Sequence, residues 1–166
     1  IGKGVTAVCE NDTVSTTDLE LVKSIFASAG SVLMINESEM NRIIGVTSSS
    51  PAYVYKFIAA ICEGAKAQGL NNDNLLETVC DMVIGAAYML KESEFSANEL
   101  ISRVASKGGT TERAIATLDE RDFDKAIIDA VVKAGYGASL KGESNAKTKD
   151  DELKDMLGSL FCGRGH

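Results

Sequence analysis

A mainly helical fold, opened by one short strand-helix-strand crossover, is predicted by three observations. The chain has 45% hydrophobic residues but a single proline and no tryptophan, so little in it interrupts a helix. From about Glu37 onward, apolar residues recur at helical spacing. Before that point, two β-branched runs flank one amphipathic stripe.

The elements follow in order. Gly4 to Cys9 suits a strand. Thr17-Asp18-Leu19-Glu20 has the spacing of a capping box, with Leu19, Val22, Ile25 and Phe26 as the stripe behind it and Gly30 as the stop. Val32 to Ile35 reads as a second strand. Strand, helix and strand over so short a length belong in a parallel sheet with more strands than these, so the opening looks like the end of a larger α/β domain. Gly2-Lys3-Gly4 precedes a strand rather than following one and lacks a third glycine, so it reads as loop with no phosphate role.

Glu39 to Val46 begins the helical part. Thr47 to Ser50 interrupts it, and Pro51 opens a fresh helix carrying Val54, Ile58, Ile61 and Ala65 to near Gly69. The next starts at Asn72 or Asp73 with Leu76, Val79, Cys80, Val83, Ala87 and Leu90, and its Gly85-Ala86-Ala87 patch admits a closely approaching helix. Ala97 to Ala105, Thr111 to Asp119 and Asp122 to Ser139 complete the set. In the last, Ile127, Val131 and Ala134 form a stripe that Ile128 and Val132 widen beyond one face. Such a helix needs more than one neighbour, supplied by a dimer of interleaved helices or by a compact monomeric bundle. Lys141 to Asp151 reads as a flexible tail, and Leu153, Met156, Leu157, Leu160 and Phe161 as one more amphipathic helix.

A net charge of −7 argues against a general nucleic-acid binder. No apolar run reaches the roughly 18 residues of a membrane span, and a cytoplasmic location is expected. Cys9, Cys62, Cys80 and Cys162 form no CxxC pair, and Cys62 and Cys80 fall among apolar helix residues as reduced thiols. The one histidine, His166, is the last residue. Metal binding and Ser-His or Cys-His catalysis therefore lack their usual ligand or base, and any chemistry is expected from a bound cofactor.

Ser106-Lys107-Gly108-Gly109-Thr110-Thr111 is where backbone freedom, hydroxyls and a helix start coincide. With Thr110 as N-cap and Glu112 in the first turn, this start presents unpaired N–H groups and the positive end of the helix dipole to a small anion such as a carboxylate. The plain alternative is a loop closing onto a capped helix.

With these elements placed, the sequence resembles the pyrroline-5-carboxylate reductases. The resemblance rests on Ser50-Pro51-Ala52-Tyr53 opening a long helix, Gly85-Ala86-Ala87 in the next, and the Ser106 to Thr111 run, and it covers roughly residues 1–140. It implies residues 1–36 as the end of a Rossmann domain, 37–140 as an all-helical, interlocking dimerisation and substrate-binding domain, and 141–166 as a tail. It implies NADPH or NADH as cofactor, bound upstream of Ile1 with no cofactor residue here. The substrate would be the cyclic imine 1-pyrroline-5-carboxylate, reduced to proline, and the partner a second copy of the chain.

By matching position, Thr111 would bond the substrate and relay a proton toward the ring nitrogen, and Ser106, Gly108, Gly109 and Thr110 would line the carboxylate pocket. Glu94 and Glu37 match acidic positions near the site and at the domain junction, or are solvated surface glutamates. The chain departs from the family where many members have proline, here Lys107, where asparagine is common, here Arg103, and in the serines 48–50 of a loop that is usually richer in glycine. Two other readings stand beside it. One is a helical dimerisation module without catalysis. The other is a related hydroxyacid dehydrogenase, in which Lys56 or Lys66 would serve as acid.

Overall fold

The computed structural model describes residues 1–137. The tail and helix expected beyond residue 140, and Cys162 and His166, lie outside the described residues. In chain order the elements are β1 (Gly4–Val8), α1 (Thr16–Ala27), β2 (Gly30–Met34), a 3-10 turn (Glu37–Glu39), α2 (Met40–Thr47), α3 (Ser50–Ala67), α4 (Leu75–Glu92), α5 (Ala97–Val104) and α6 (Thr110–Glu120). A further helix, α7, runs over 123–137. They divide into two compact units, one made of Ile1–Ser49 with the chain from Ala130, the other of Ser50–Asp129.

In the first unit β1 and β2 are parallel, in register from Gly4 opposite Gly30 to Val8 opposite Met34. The strands approach so closely at that first pair that a Cβ on Gly30 would run into the Gly4 carbonyl. Helix α1 starts earlier than the sequence spacing suggests. Ser15 is its N-cap, accepting from the Asp18 N–H at 3.1 Å and donating its hydroxyl to Asp18 at 2.6 Å, so the box sits two residues before Thr17 and Glu20. Glu20 instead pairs with Lys23 at 2.7 Å on the open face, a contact worth little in water. The helix ends at Ser28, leaving Gly30 to open β2. Asn36 leads into the next turn, its N–H donating to the Glu39 carboxylate at 2.9 Å. Gly45 on α2 is buried against the Val131 carbonyl of α7, a crossing with no room for a side chain.

In the second unit α3 starts at Ser50, as Pro51 in the first turn predicts. Helix α4 starts two or three residues later than expected. The Asn72 side chain accepts the Asn74 N–H at 2.8 Å and holds those residues in a turn. Helices α3 and α4 pack on each other, and the Phe57 and Phe123 rings stand 6.4 Å apart. Cys62 and Val79, at 8% and 5% exposure, are the buried apolar side chains among the described residues. Cys80 is half-buried, and Cys9, Cys62 and Cys80 are all free thiols.

The apolar stripes read from the sequence are in part covered, with Ile58, Ile61, Val83 and Val131 half-buried and Val79 buried, but much apolar surface on and beside them is open. Leu76, Ile84, Met89, Ile128 and Val132 face outward, Ile128 at 60% exposure, and nothing approaches within 4 Å of where a Cβ would stand on Gly85. So much open apolar surface on a folded chain marks an interface. No helix among the described residues is long and apolar enough to cross a membrane.

Candidate functional site

The loop between α5 and α6 is built from both sides. Before it, Ser96 caps α5. Its side chain accepts the Glu99 N–H, and the Glu99 carboxylate accepts the Ser96 N–H and hydroxyl at 2.8 Å each. These two donors hold the Glu99 carboxyl below the usual carboxylate range. The Ser96-x-x-Glu99 spacing is a capping-box signal legible in the sequence. Helix α5 ends at Val104, and Arg103 in its last turn lays its guanidinium 3.7 Å from the centre of the Phe95 ring.

The loop itself is one tight turn. The Ser106 carbonyl accepts the Gly109 N–H at 2.9 Å, with Gly108 in the left-handed region at φ +73°, the pattern of a type II turn. Lys107 takes the second position, where proline is common because its fixed φ suits the turn. Gly108 is needed for its angle and Gly109 for its size. A Cβ on Gly109 would stand 2.7 Å from Ser106 Oγ and 2.8 Å from Ser106 O.

Gly109 is also the N-cap of α6, extended at φ −76° and ψ 171°, with Thr110 the first helical residue. The expectation that Thr110 caps the helix is corrected here. The turn brings the chain into helical geometry one residue early, so the cap position falls to Gly109 and not to Thr110. Glu112 takes over part of the capping, its Oε2 accepting the Gly108 N–H at 2.7 Å. Arg113 reaches back at 3.4 Å to the Gly108 carbonyl. Among the described residues the hydroxyls of Ser106, Thr110 and Thr111 make no hydrogen bond. The amides of Thr110, Thr111 and Glu112 precede the first acceptor of their helix.

The turn thus sets the hydroxyls of Ser106, Thr110 and Thr111 and the amides of Thr110 and Thr111 at the positive end of an 11-residue helix, while the Gly108 and Gly109 amides are already bonded to Glu112 and to the Ser106 carbonyl. Such a set of donors holds an anion and can pass a proton through a hydroxyl. Glu94 is exposed just beyond the end of α4 and makes no bond to the loop. Glu37 is exposed at the start of the 3-10 turn, in the other compact unit. The Ser93 hydroxyl beside Glu94 is buried without a partner among the described residues.

The other candidate features do less. Lys66 pairs with Glu63 at 2.8 Å on an exposed face, and that bond raises its pKa, the reverse of what a neutral-pH proton donor requires. Lys56 is exposed on α3. No group of three metal-ligating side chains occurs among the described residues.

The strand-to-helix turn after β1 offers no phosphate cradle of the kind that the first strand-to-helix turn of a dinucleotide-binding domain carries. It has no glycine and carries Glu10 and Asp12. Asn11 Oδ1 ties up the Thr13 and Val14 amides, and the α1 N-terminus is already taken by Ser15 and Asp18.

Comparison with known proteins follows the same lines. Residues 37–139 match the family model described as pyrroline-5-carboxylate reductase dimerisation. The pyrroline-5-carboxylate reductase of Synechocystis sp. is 35% identical over 139 residues, 84% of this chain and 52% of that protein. The Escherichia coli protein of the same name is 34% identical over 133 residues, 80% of this chain and 49% of its own length. Among solved structures, Plasmodium falciparum pyrroline carboxylate reductase with NADP bound superposes with a TM-score of 0.80 at 28% identity. It covers 85% of this chain and 54% of that one. The Coxiella burnetii pyrroline-5-carboxylate reductase gives 0.79 at 31%, with 84% and 52% covered. The chain spans about half the length of the curated relatives it matches.

Proposed function

The chain belongs to the pyrroline-5-carboxylate reductase dimerisation family, and from that premise we propose that it is the dimerising, substrate-holding part of an enzyme reducing 1-pyrroline-5-carboxylate to L-proline. The observation that supports the reading is the Ser106–Thr111 turn, which leaves the Thr110 and Thr111 amides and the hydroxyls of Ser106, Thr110 and Thr111 without a partner among the described residues at a helix N-terminus. In this reading Ser106, Gly108, Gly109 and Thr110 hold the substrate carboxylate. Thr111 bonds the ring and relays the proton that its nitrogen takes up. Glu94 and Glu37 are acidic neighbours brought to the site by assembly. NADPH or NADH supplies the hydride when bound, and the residues described here offer it no phosphate cradle. The work of this chain is to bind, orient and protonate.

Residues 1–36 are assigned to the end of a cofactor domain and 37–140 to the helical domain, a division supported by the family match that begins at residue 37. The uncovered apolar faces of α4 and α7 support a homodimer formed through these helices. A cytoplasmic location goes with the reading.

The test is calorimetric titration of L-proline into the dimeric chain and its Thr111→Ala variant. Binding by the parent with loss in the variant is the expected result, and equal binding by both would remove Thr111 from the site. The same uncovered faces favour a second reading, a dimerisation module without catalysis, which predicts proline binding by neither protein.

A further inference from the structure

We propose that the exposed face of α5 is a second binding site, for a small zwitterion: an α-amino acid whose ammonium group goes to Glu99 and whose carboxylate goes to Arg103. The inference is independent of the Ser106–Thr111 turn. It starts from two charges that ordinarily meet and here do not. Glu99 and Arg103 stand four residues apart on one helix with the acid first, the order in which such side chains pair best. Among the described residues neither forms an ion pair, with the other or with any third charge.

The two residues just before the helix hold them apart. Ser96 gives its N–H and its hydroxyl to the same Glu99 oxygen, Oε2, at 2.8 Å each, and Oε1 is left without a hydrogen bond. Those donors also keep the carboxyl ionised. Phe95 takes the Arg103 guanidinium over its ring at 3.7 Å, and Arg103 donates no hydrogen bond among the described residues, so its N–H groups remain available. Over this face lies a shallow hollow of about 410 Å³, open to solvent and lined by Asn98, Glu99, Ser102 and Arg103. Ser102 is occupied, its hydroxyl donating to the Asn98 carbonyl at 2.9 Å, whereas the Asn98 side-chain amide is unbonded. The paired charges also set the class of ligand. A lone anion drawn to Arg103 meets the Glu99 charge one turn away, and a lone cation drawn to Glu99 meets Arg103. A molecule carrying both charges satisfies both residues at once.

The experiment is a titration of the isotopically labelled dimeric chain, followed by amide NMR shifts, with glycine as the bare zwitterion. Glycolate, which lacks the ammonium group, and glycinamide, which lacks the carboxylate, are the controls. Glycine is expected to shift the Asn98–Arg103 amides and to bind about threefold to fivefold more tightly than either control. Glu99→Gln keeps the cap of α5, since glutamine also serves at that position, and should bring glycine down to the level of glycolate. Arg103→Gln should bring it down to the level of glycinamide. Thr111→Ala should leave the α5 shifts unchanged. Controls that bind as well as glycine, or variants that both bind it as the parent does, overturn the proposal. So does the absence of glycine-dependent shifts in α5, and shifts confined to residues 106–112 and lost in Thr111→Ala would overturn it while supporting the substrate site. Circular dichroism of each variant checks that the helices remain.

Discussion

Substitution at the two adjacent glycines of the turn separates a steric requirement from a conformational one. At Gly109 the backbone angles are ordinary, and alanine is conformationally acceptable there. The obstacle is space: a Cβ meets Ser106 Oγ at 2.7 Å and Ser106 O at 2.8 Å, against an ordinary contact of 3.4 Å or more. Relief requires the Ser106 carbonyl to retreat by about 0.6 Å, and that oxygen holds the Gly109 N–H that closes the turn. Losing most of the bond costs about 1 kcal/mol and the residual crowding about as much again, together ~2 kcal/mol. At Gly108 a Cβ meets nothing within 4 Å but must sit at φ +73°, which costs about 1 kcal/mol. If the turn holds proline, these convert to losses of about 30-fold for Gly109→Ala and about fivefold for Gly108→Ala, read by calorimetry on the dimeric chain. Parental affinity in Gly109→Ala, or a larger loss at Gly108 than at Gly109, would refute the reasoning.

Three further outcomes are expected. Gly45→Ala drives a methyl into the Val131 carbonyl and should lower stability by ~2–3 kcal/mol in denaturant unfolding, while a serine-to-alanine change at exposed Ser24 should do almost nothing. Because the Glu99 carboxyl is held below its ordinary value of 4.5, the stability it contributes is full above that value. It is lost as pH falls through the lower folded-state pKa, so Glu99→Gln should weaken the protein at neutral pH and flatten its acid limb in a pH series of thermal melts. If the open faces of α4 and α7 are covered by a second copy, the melting temperature should fall by several degrees on about hundredfold dilution, and a constant value would exclude that dimer.

What the sequence made legible divides by the range of the interaction. Pro51 and the Gly108-Gly109 pair act within a few bonds, and the elements they punctuate are present where expected. The cap of α1 was misplaced because Ser15 to Asp18 and Thr17 to Glu20 both offer a hydroxyl and a carboxylate three apart. The winner starts its helix one residue before Thr17 and lengthens it. Thr110 was misread as a cap because a capping side chain and a tight turn compete for the same helix start, and the turn's own hydrogen bond prevailed. The bond from Glu112 to Gly108 carried a signal, an acid four residues after a glycine, but only the backbone path shows that the two meet. The apolar faces were read correctly as stripes. Which of them stays open depends on what else assembles around the chain, and no periodicity encodes that.

The buried meeting of Gly45 with Val131 has a consequence for the timing of synthesis. The first compact unit is assembled from segments separated by the whole of residues 50–129. As the chain leaves the ribosome, β1, α1, β2 and α2 emerge early, but the surface that seats Gly45 follows only after about 80 more residues. At 5–20 residues per second that is a delay of roughly 4–16 s. During it the intervening helices α3 to α6 are free to close on one another. The helices of residues 50–129 therefore close on one another before the unit that precedes them is complete, and that unit waits with its glycine notch open for the helix that fills it.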